Sequence, residues 1–218
     1  GKVRLSMVSD IEDFPPTGTG SVAGGSNGRS LGIAGMEIRE EGGMTSELLR
    51  QGLAEHHAGR LEAAAGLYRA ALEREPDNVS ALRCLGVLRS QQGDFQGALL
   101  LLQAAARFAP DMPEVFNDIG NTLRQKGALN EAVLAFDEAI RLQPVFGVAY
   151  FNRGLTFEAL GCMDRAMESY DLALQADPHR VEARYNRAAI RMRGGEFALA
   201  LPDLLEFVRQ RPASEEAV

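Results

Sequence analysis

Apolar and polar positions follow a 34-residue pattern that occurs five times from residue 45 onwards. Each copy contains a proline, with an alanine twelve residues before it and a large apolar residue eight residues before it. The prolines are Pro76, Pro110, Pro144, Pro178 and Pro212, and the large apolar residues are Tyr68, Leu102, Phe136, Tyr170 and Leu204. Apolar residues at helical spacing, followed by a proline, predict an amphipathic helix that stops at the end of every copy.

Glycines divide each copy into two segments. One glycine precedes each proline by 17 residues (Gly59, Gly93, Gly127, Gly161, Gly195), and another by 24 in the first four copies (Gly52, Gly86, Gly120, Gly154). A glycine can turn the chain between two helices, and at a helix contact it lets the helices approach closely. The sequence therefore predicts a helix–turn–helix unit in each copy, stacked on its neighbours.

Residues 45–212 resemble five consecutive tetratricopeptide repeats, because this period and these glycine, alanine, aromatic and proline positions are the signature of that family. The resemblance implies an all-α fold, a right-handed superhelical solenoid of five helix-turn-helix repeats after a Gly-rich N-terminal extension. We place the repeat domain at 44–212, with repeats at 45–78, 79–112, 113–146, 147–180 and 181–214, and a C-terminal stub at 213–218. Such repeats are a scaffold on which binding sites are built, so the resemblance names no ligand.

Residues 1–43 differ in composition from the repeats. Nine glycines lie between Thr17 and Gly43, which predicts a flexible linker because the stretch cannot offset its own ordering entropy. Residues 3–14 are richer in apolar side chains and include an acidic group of Asp10, Glu12 and Asp13. We predict that residues 3–14 dock, in their own chain or in a second copy, and that the groove of the repeats receives them.

Composition narrows the possible functions. Of the 218 residues, 45% are hydrophobic and 24% are charged, which is ordinary for a globular protein. The net charge of −7 disfavours nucleic acid as a partner, and no apolar run is long enough to span a membrane. The two cysteines, Cys84 and Cys162, fall in different repeats and form no disulfide framework, which favours a cytoplasmic protein. Arginine greatly outnumbers lysine, which favours a bacterial source.

No arrangement of residues in the sequence indicates catalysis. No serine or cysteine has a plausible histidine base, and no cluster has the spacing of metal ligands. His56 and His57 are adjacent, so on a helix their side chains point about 100° apart and cannot share one metal ion. We expect a non-enzymatic protein with no cofactor and no metal, in which both histidines are solvated.

The remaining candidate site is the concave groove that the first helices line in tetratricopeptide repeat proteins. By the repeat register, its C-terminal half carries four asparagines interleaved with apolar residues. The predicted peptide-binding residues are Asn117, Asn121, Phe151, Asn152, Leu155, Tyr185 and Asn186. An asparagine side chain donates and accepts hydrogen bonds at once, which suits the backbone of an extended peptide. The alternative is that these asparagines cap turns or bridge adjacent helices.

Some family members clamp the C-terminal carboxylate of a peptide with two asparagines and three cationic residues. Asn121 and Asn152 match the amide positions of that clamp. The cationic positions instead hold Asn117, Glu182 and Asn186. We therefore expect no docking of a free C-terminal carboxylate by that arrangement.

A second candidate surface lies on the second helices. Ten and nine residues before the prolines, positions that usually face solvent in this family hold Leu67, Leu100, Leu101 and Leu134. These leucines predict an apolar convex contact across repeats one to three. The alternative is that the helices are rotated and the leucines belong to the core.

The pattern as a whole favours an adaptor or scaffold that binds an extended peptide or a partner protein in the groove. Two alternatives stay open: a substrate-recognition arm of a larger enzyme, such as a glycosyltransferase, and a self-assembling scaffold. The second alternative rests on Leu201, Leu205 and Val208 in repeat five, because no further repeat follows to cover them. Self-association through the N-terminal tail is a further possibility.

Overall fold

The computed structural model describes residues 43–210, which form ten α-helices and no β-strand. These residues belong to two compact units, one ending at Pro110 and one beginning at Asp111. The first unit holds α1 (Met44–His57), α2 (Leu61–Arg74), α3 (Val79–Gln91) and α4 (Phe95–Phe108). The second holds α5 (Pro113–Lys126), α6 (Leu129–Leu142), α7 (Gly147–Ala159), α8 (Met163–Ala176), α9 (Val181–Arg193) and α10 (Phe197–Gln210). The extension up to residue 42, with its docking segment 3–14, and the stub 213–218 lie outside the described residues.

Within each unit the helices pack in the order of the chain. Each odd-numbered helix packs on the helix that follows it, as the two arms of one repeat. The second helix of a repeat also packs on the first helix of the next, as α2 does on α3, α6 on α7 and α8 on α9. The all-α fold of helix–turn–helix repeats is therefore confirmed.

The turn glycines and the prolines act as the sequence predicts. Gly59, Gly93, Gly127, Gly161 and Gly195 have φ angles between 75° and 87°, a left-handed conformation that costs side chains other than glycine. The second helices of the first four repeats end two residues before their prolines, because proline supplies no N–H to continue the ladder.

The helix-contact glycines make room for large rings from the second helices. A Cβ atom added to Gly120 would lie 2.6 Å from Cε1 of Phe136, and one added to Gly154 would lie 2.5 Å from Cε1 of Tyr170. Both rings are fully buried. The glycine and the large side chain 16 residues later therefore form one packing unit in each of the first four repeats.

His56 is buried in the first unit, so the prediction that it is solvated is wrong. Its exposed fraction is 4%, whereas His57 is exposed. The Nε2 atom of His56 lies 2.7 Å from Oε1 of Gln91, and the Nδ1 atom lies 3.3 Å from the hydroxyl of Tyr68. The rotation of about 100° per residue explains the difference, because His56 shares a face with Leu49 and Gly52 and His57 does not.

Arginines join the repeats of the second unit. Arg153 donates to Asp137 at 2.7 Å, and Arg187 donates to Asp171 at 2.6 Å, in each case to a carboxylate 16 residues earlier in the preceding repeat. The equivalent position in repeat two holds Leu85, which is fully buried. Repeat three holds Ile119 there, so arginine fills this position in repeats four and five and an apolar residue fills it in repeats two and three.

Candidate functional site

The first helices of the second unit, α5, α7 and α9, carry all of the predicted peptide-binding residues. We call the surface that these three helices form the first-helix face. A hydrogen bond from Nδ2 of Asn152 to Oδ1 of Asn117, 2.9 Å long, joins α7 to α5. Both asparagines are only 7% exposed. This pair therefore bridges adjacent helices, which was the alternative interpretation of these residues.

Aromatic side chains lie farther along the first-helix face. Tyr185 is 46% exposed, and its ring packs on Phe207 with 5.0 Å between the centroids. Phe151 is half-buried and packs on Tyr170 at 5.8 Å, while the guanidinium carbon of Arg180 lies 5.6 Å from its centroid. Tyr185 consequently offers the largest open apolar surface among the predicted site residues.

A hydrogen-bond network surrounds the hydroxyl of Tyr170. The hydroxyl donates to Oε2 of Glu158 at 2.6 Å, and Nδ2 of Asn186 donates to the hydroxyl oxygen at 3.4 Å. Arg193 donates to Oε1 of the same glutamate at 2.7 Å. Burial is the main cause that raises the pKa of Tyr170 far above its ordinary value, and the hydrogen bond to Glu158 is the second. The hydroxyl therefore remains a donor.

Two polar groups of α5 lack partners among the described residues. The Oδ1 atom of Asn121 and the Nε atom of Arg124 are both buried, and neither forms a hydrogen bond there. Burial lowers the pKa of Arg124, because a desolvated guanidinium is less stable in its charged form. An arginine still remains charged at neutral pH, so the first-helix face contains a charge without a counter-ion among these residues.

The predicted residues are thus only partly brought together. Asn117 pairs with Asn152 and Asn186 contacts Tyr170, while half-buried Leu155 packs against the core of the unit. Sequence reasoning missed Arg124, Glu158 and Arg193, which lie later on α5, α7 and α9 than the predicted site residues. Extending the register by one turn would have included Arg124 and Glu158, which lie three residues after Asn121 and Leu155, whereas Arg193 lies two turns after Asn186.

The convex leucines separate into exposed and buried residues. Leu100 is 53% exposed and Leu134 is 69% exposed, but Leu101 is only 4% exposed and Leu67 is half-buried. The prediction that Leu101 belongs to an exposed contact is therefore wrong. Leu101 lies three residues after Ala98 and four before Ala105, which places it on the buried stripe of α4.

The outer surface of α10 is apolar, and none of the described residues covers it. Leu201, Leu205 and Val208 are 54%, 62% and 65% exposed. The residues at the positions of Leu201 in repeat three and of Val208 in repeat four are Val133 and Leu174, which are each 8% exposed. In repeats three and four the following repeat covers this surface, whereas in repeat five the surface is exposed.

The described residues include no group of three or more histidines, cysteines or acidic residues that could hold a metal ion. Neither cysteine forms a disulfide with the other, since Cys84 is buried in the first unit and Cys162 is exposed in the second. No helix in this part of the chain is both long and apolar enough to cross a membrane.

Helix pairs that recur with a fixed period and pack in chain order define the class of all-α repeat proteins. Within that class, tetratricopeptide repeat models match residues 48–113 and 148–180, and a TPR repeat model matches residues 120–161. The chain belongs to the tetratricopeptide repeat family. A comparison with curated proteins gave no match.

Several solved structures share the fold. The crystal structure of MamA is 22% identical with a TM-score of 0.63, and the match covers 73% of this chain and 93% of that one. A thermophilic TPR protein of Thermus thermophilus is 24% identical with a TM-score of 0.66, covering 78% and 93%. PilF of Pseudomonas aeruginosa is 20% identical with a TM-score of 0.72, covering 78% of each chain. At these identities the similarity supports the fold alone.

Proposed function

We propose that the protein is a non-enzymatic adaptor that binds an extended segment of a partner protein on the first-helix face. The observation that carries the proposal is the combination of open aromatic surface and amide groups on this face. Tyr185 is the most exposed of the predicted site residues, Asn186 is half-buried beside it, and the Asn117–Asn152 pair lies on the neighbouring helices. Membership of the tetratricopeptide repeat family supports a role in protein–protein interaction.

The Asn117–Asn152 pair retains capacity for a ligand. Their mutual bond occupies one oxygen and one N–H group, and among the described residues neither side chain makes another hydrogen bond. The Oδ1 atom of Asn152 and the Nδ2 group of Asn117 are thus an acceptor and a donor held at fixed positions. An extended peptide offers a complementary N–H or C=O at every residue.

The proposal is tested with a displayed library of twelve-residue peptides selected on the full chain. Binders are then titrated against the variant that combines Tyr185→Ala with Asn186→Ala. We expect affinity to fall about tenfold or more, since each lost hydrogen bond contributes roughly 0.5–1.5 kcal/mol and the aromatic contact is lost as well. Asn152→Ala is a poorer variant, because it would leave the buried oxygen of Asn117 without its donor.

Leu134→Ala is the matched control, because Leu134 is an exposed apolar residue on α6, outside the first-helix face. It should bind the selected peptides like the wild-type protein. Equal affinity of the Tyr185/Asn186 variant, at an unchanged melting temperature, would refute binding at this face.

A second candidate function, self-assembly, is favoured by the uncovered surface of α10. We infer that a second copy covers Leu201, Leu205 and Val208, because a continuous apolar surface is complementary to itself across a two-fold axis. Light scattering should then detect a dimer of the wild-type protein at high concentration, and Leu205→Glu should abolish this dimer. A wild-type protein that stays monomeric across concentrations would exclude this function.

A further inference from the structure

The first helices contain a recurring polar contact that involves three repeat positions. In repeat one, His56 contacts the hydroxyl of Tyr68, twelve residues ahead, and the side chain of Gln91, 35 residues ahead. In repeat four, Glu158 accepts from the hydroxyl of Tyr170, twelve residues ahead, and from Arg193, 35 residues ahead. In both repeats, the polar side chain at this position of the first helix therefore has two partners. One lies on the second helix of the same repeat, and the other lies on the first helix of the next repeat.

Repeat three has a charged residue at this position but lacks both partners. The residue is Arg124, and the positions twelve and 35 residues ahead hold Phe136 and Ala159. Neither side chain can accept a hydrogen bond. The register therefore explains why Arg124 is without the contacts that His56 and Glu158 have.

The surroundings of Arg124 make an unpaired charge costly. Its Nε atom is buried without an acceptor among the described residues, and burial lowers its pKa. Oδ1 of Asn121, one turn earlier on α5, is a second buried atom without a partner in this part of the chain. A buried charge without a counter-ion destabilises a fold, and such groups are concentrated at sites that bind ligands.

The charges of Arg124, Glu158 and Arg193 sum to one positive charge. Glu158 is neutralised by Arg193, so Arg124 is the uncompensated group of the three. Arg124 lies close enough to Tyr170 for its charge to act on that hydroxyl, which is bonded to Glu158. The excess charge is thus located on the same face as Tyr185 and Asn186.

We propose that Arg124 binds the side-chain carboxylate of an aspartate or glutamate in the partner segment. The inference rests on the proposed function, because it concerns which peptides the first-helix face accepts. A guanidinium pairs with a carboxylate through two parallel hydrogen bonds, which gives both charge and geometric complementarity. Asn121 is placed to accept an N–H group from the same segment once its side chain turns toward the ligand.

The test uses the peptides selected on the wild-type protein, synthesised with amidated C-termini so that only side chains carry carboxylates. We expect aspartate or glutamate to be enriched at one position of the selected peptides. Arg124→Gln should weaken binding of such a peptide about tenfold. When the acidic residue of the peptide is changed to Asn or Gln, the Arg124→Gln variant and the wild-type protein should bind the peptide equally well. Either change alone already removes the interaction, so the second change costs nothing further.

Arg141→Gln serves as the matched control, because it removes the same charge from an arginine that pairs with Glu138 on α6. It should leave the affinity unchanged at physiological salt. The melting temperature of the Arg124→Gln variant should be equal to that of the wild-type protein or higher, because no hydrogen bond is lost. A clear drop would show that Arg124 supports the fold, and it would overturn the inference.

The possible outcomes distinguish this inference from the proposed function. Selected peptides without an acidic preference, or an acidic preference that persists on Arg124→Gln, would overturn the inference and leave peptide binding intact. A selection that yields no peptide dependent on Tyr185 and Asn186 would overturn both. Binding that requires a free C-terminal carboxylate would also count against a side-chain site.

Discussion

At the scale of single residues, neighbours in the sequence have opposite environments. His56 is buried and His57 is exposed, just as Leu101 is buried and Leu100 is exposed. A helix rotates by about 100° per residue, so a pattern that is read one position out of phase assigns the wrong face. Single substitutions therefore test the assignment of faces directly.

A methyl group added where two helices touch should lower the stability of the fold, whereas a methyl group added on an exposed helix surface should raise it. We expect Gly120→Ala to lower the free energy of unfolding by about 1–3 kcal/mol, because its Cβ would lie 2.6 Å from the buried ring of Phe136. Gly66→Ala should raise it by about 0.5–1 kcal/mol, since no atom lies within 4 Å of its Cβ and alanine favours a helix. Chemical denaturation measures both, and equal effects would contradict the packing described.

Burial of His56 should make the stability of the protein depend on pH. Burial is the largest effect on its pKa, which is lowered below the ordinary value of 6.5. The unfolded chain therefore binds the proton more readily, and stability is full above about pH 6.5 and falls as the pH drops through the lowered pKa. We expect His56→Gln to show a smaller loss of unfolding free energy between pH 7 and pH 5 than the wild-type protein.

His57→Gln is the control for this pH dependence, because it changes an exposed histidine that lies next to His56. Its loss of stability between pH 7 and pH 5 should be close to that of the wild-type protein, because the charge of His57 is the smallest of the three causes that act on the pKa of His56. If the His56 variant lost as much stability as the wild-type protein, burial of His56 would not be the cause.

At the scale of helices, one buried carboxylate of α10 binds several arginines of α9. Asp203 is 2% exposed and accepts from Arg187 at 2.5 Å and 2.8 Å and from Arg191 at 3.1 Å. Arg184 lies 3.7 Å away. Repeat two has Leu101 at the position of Asp203 and Leu85 at that of Arg187, and both leucines are buried.

Removing the charge of Asp203 should destabilise the second unit strongly. In Asp203→Asn three arginines face one another without their shared counter-ion, and we expect a loss of about 3 kcal/mol. Asp111→Asn, which changes an exposed aspartate of the same unit, should change the free energy of unfolding by less than about 0.5 kcal/mol. Coincident denaturation midpoints for the two variants would show that the cluster contributes nothing.

At the scale of the whole chain, the predicted docking of residues 3–14 concerns residues outside the described structure. If these residues occupy the first-helix face, they compete with the partner segment. Deleting residues 1–43 should then raise the affinity for selected peptides several-fold, because the ligand no longer displaces an attached competitor.

The acidic residues of the extension allow a more specific measurement of this competition. Replacing Asp10, Glu12 and Asp13 by their amides should raise affinity in part, since Arg124 would no longer attract them. Calorimetric titration of the full chain, the deletion and the amide variant compares the three. Identical affinities would exclude competition by the extension.

The sequence by itself determined the elements of this protein. The 34-residue period, the left-handed turn glycines and the prolines predicted the helix–turn–helix repeats, because each feature acts through local backbone geometry. The glycine–ring packing at Gly120 and Gly154 also follows from the register, since both partners recur at fixed offsets.

Only the tertiary structure decided which polar groups meet. The Asn117–Asn152 bond joins residues 35 positions apart, and the Asp203 cluster gathers three arginines around one carboxylate. Such contacts depend on the angle and distance between packed helices, which composition and periodicity do not fix. Arg124 illustrates the same limit, because its lack of partners became visible only when the contacts of His56 and Glu158 showed which positions would supply them.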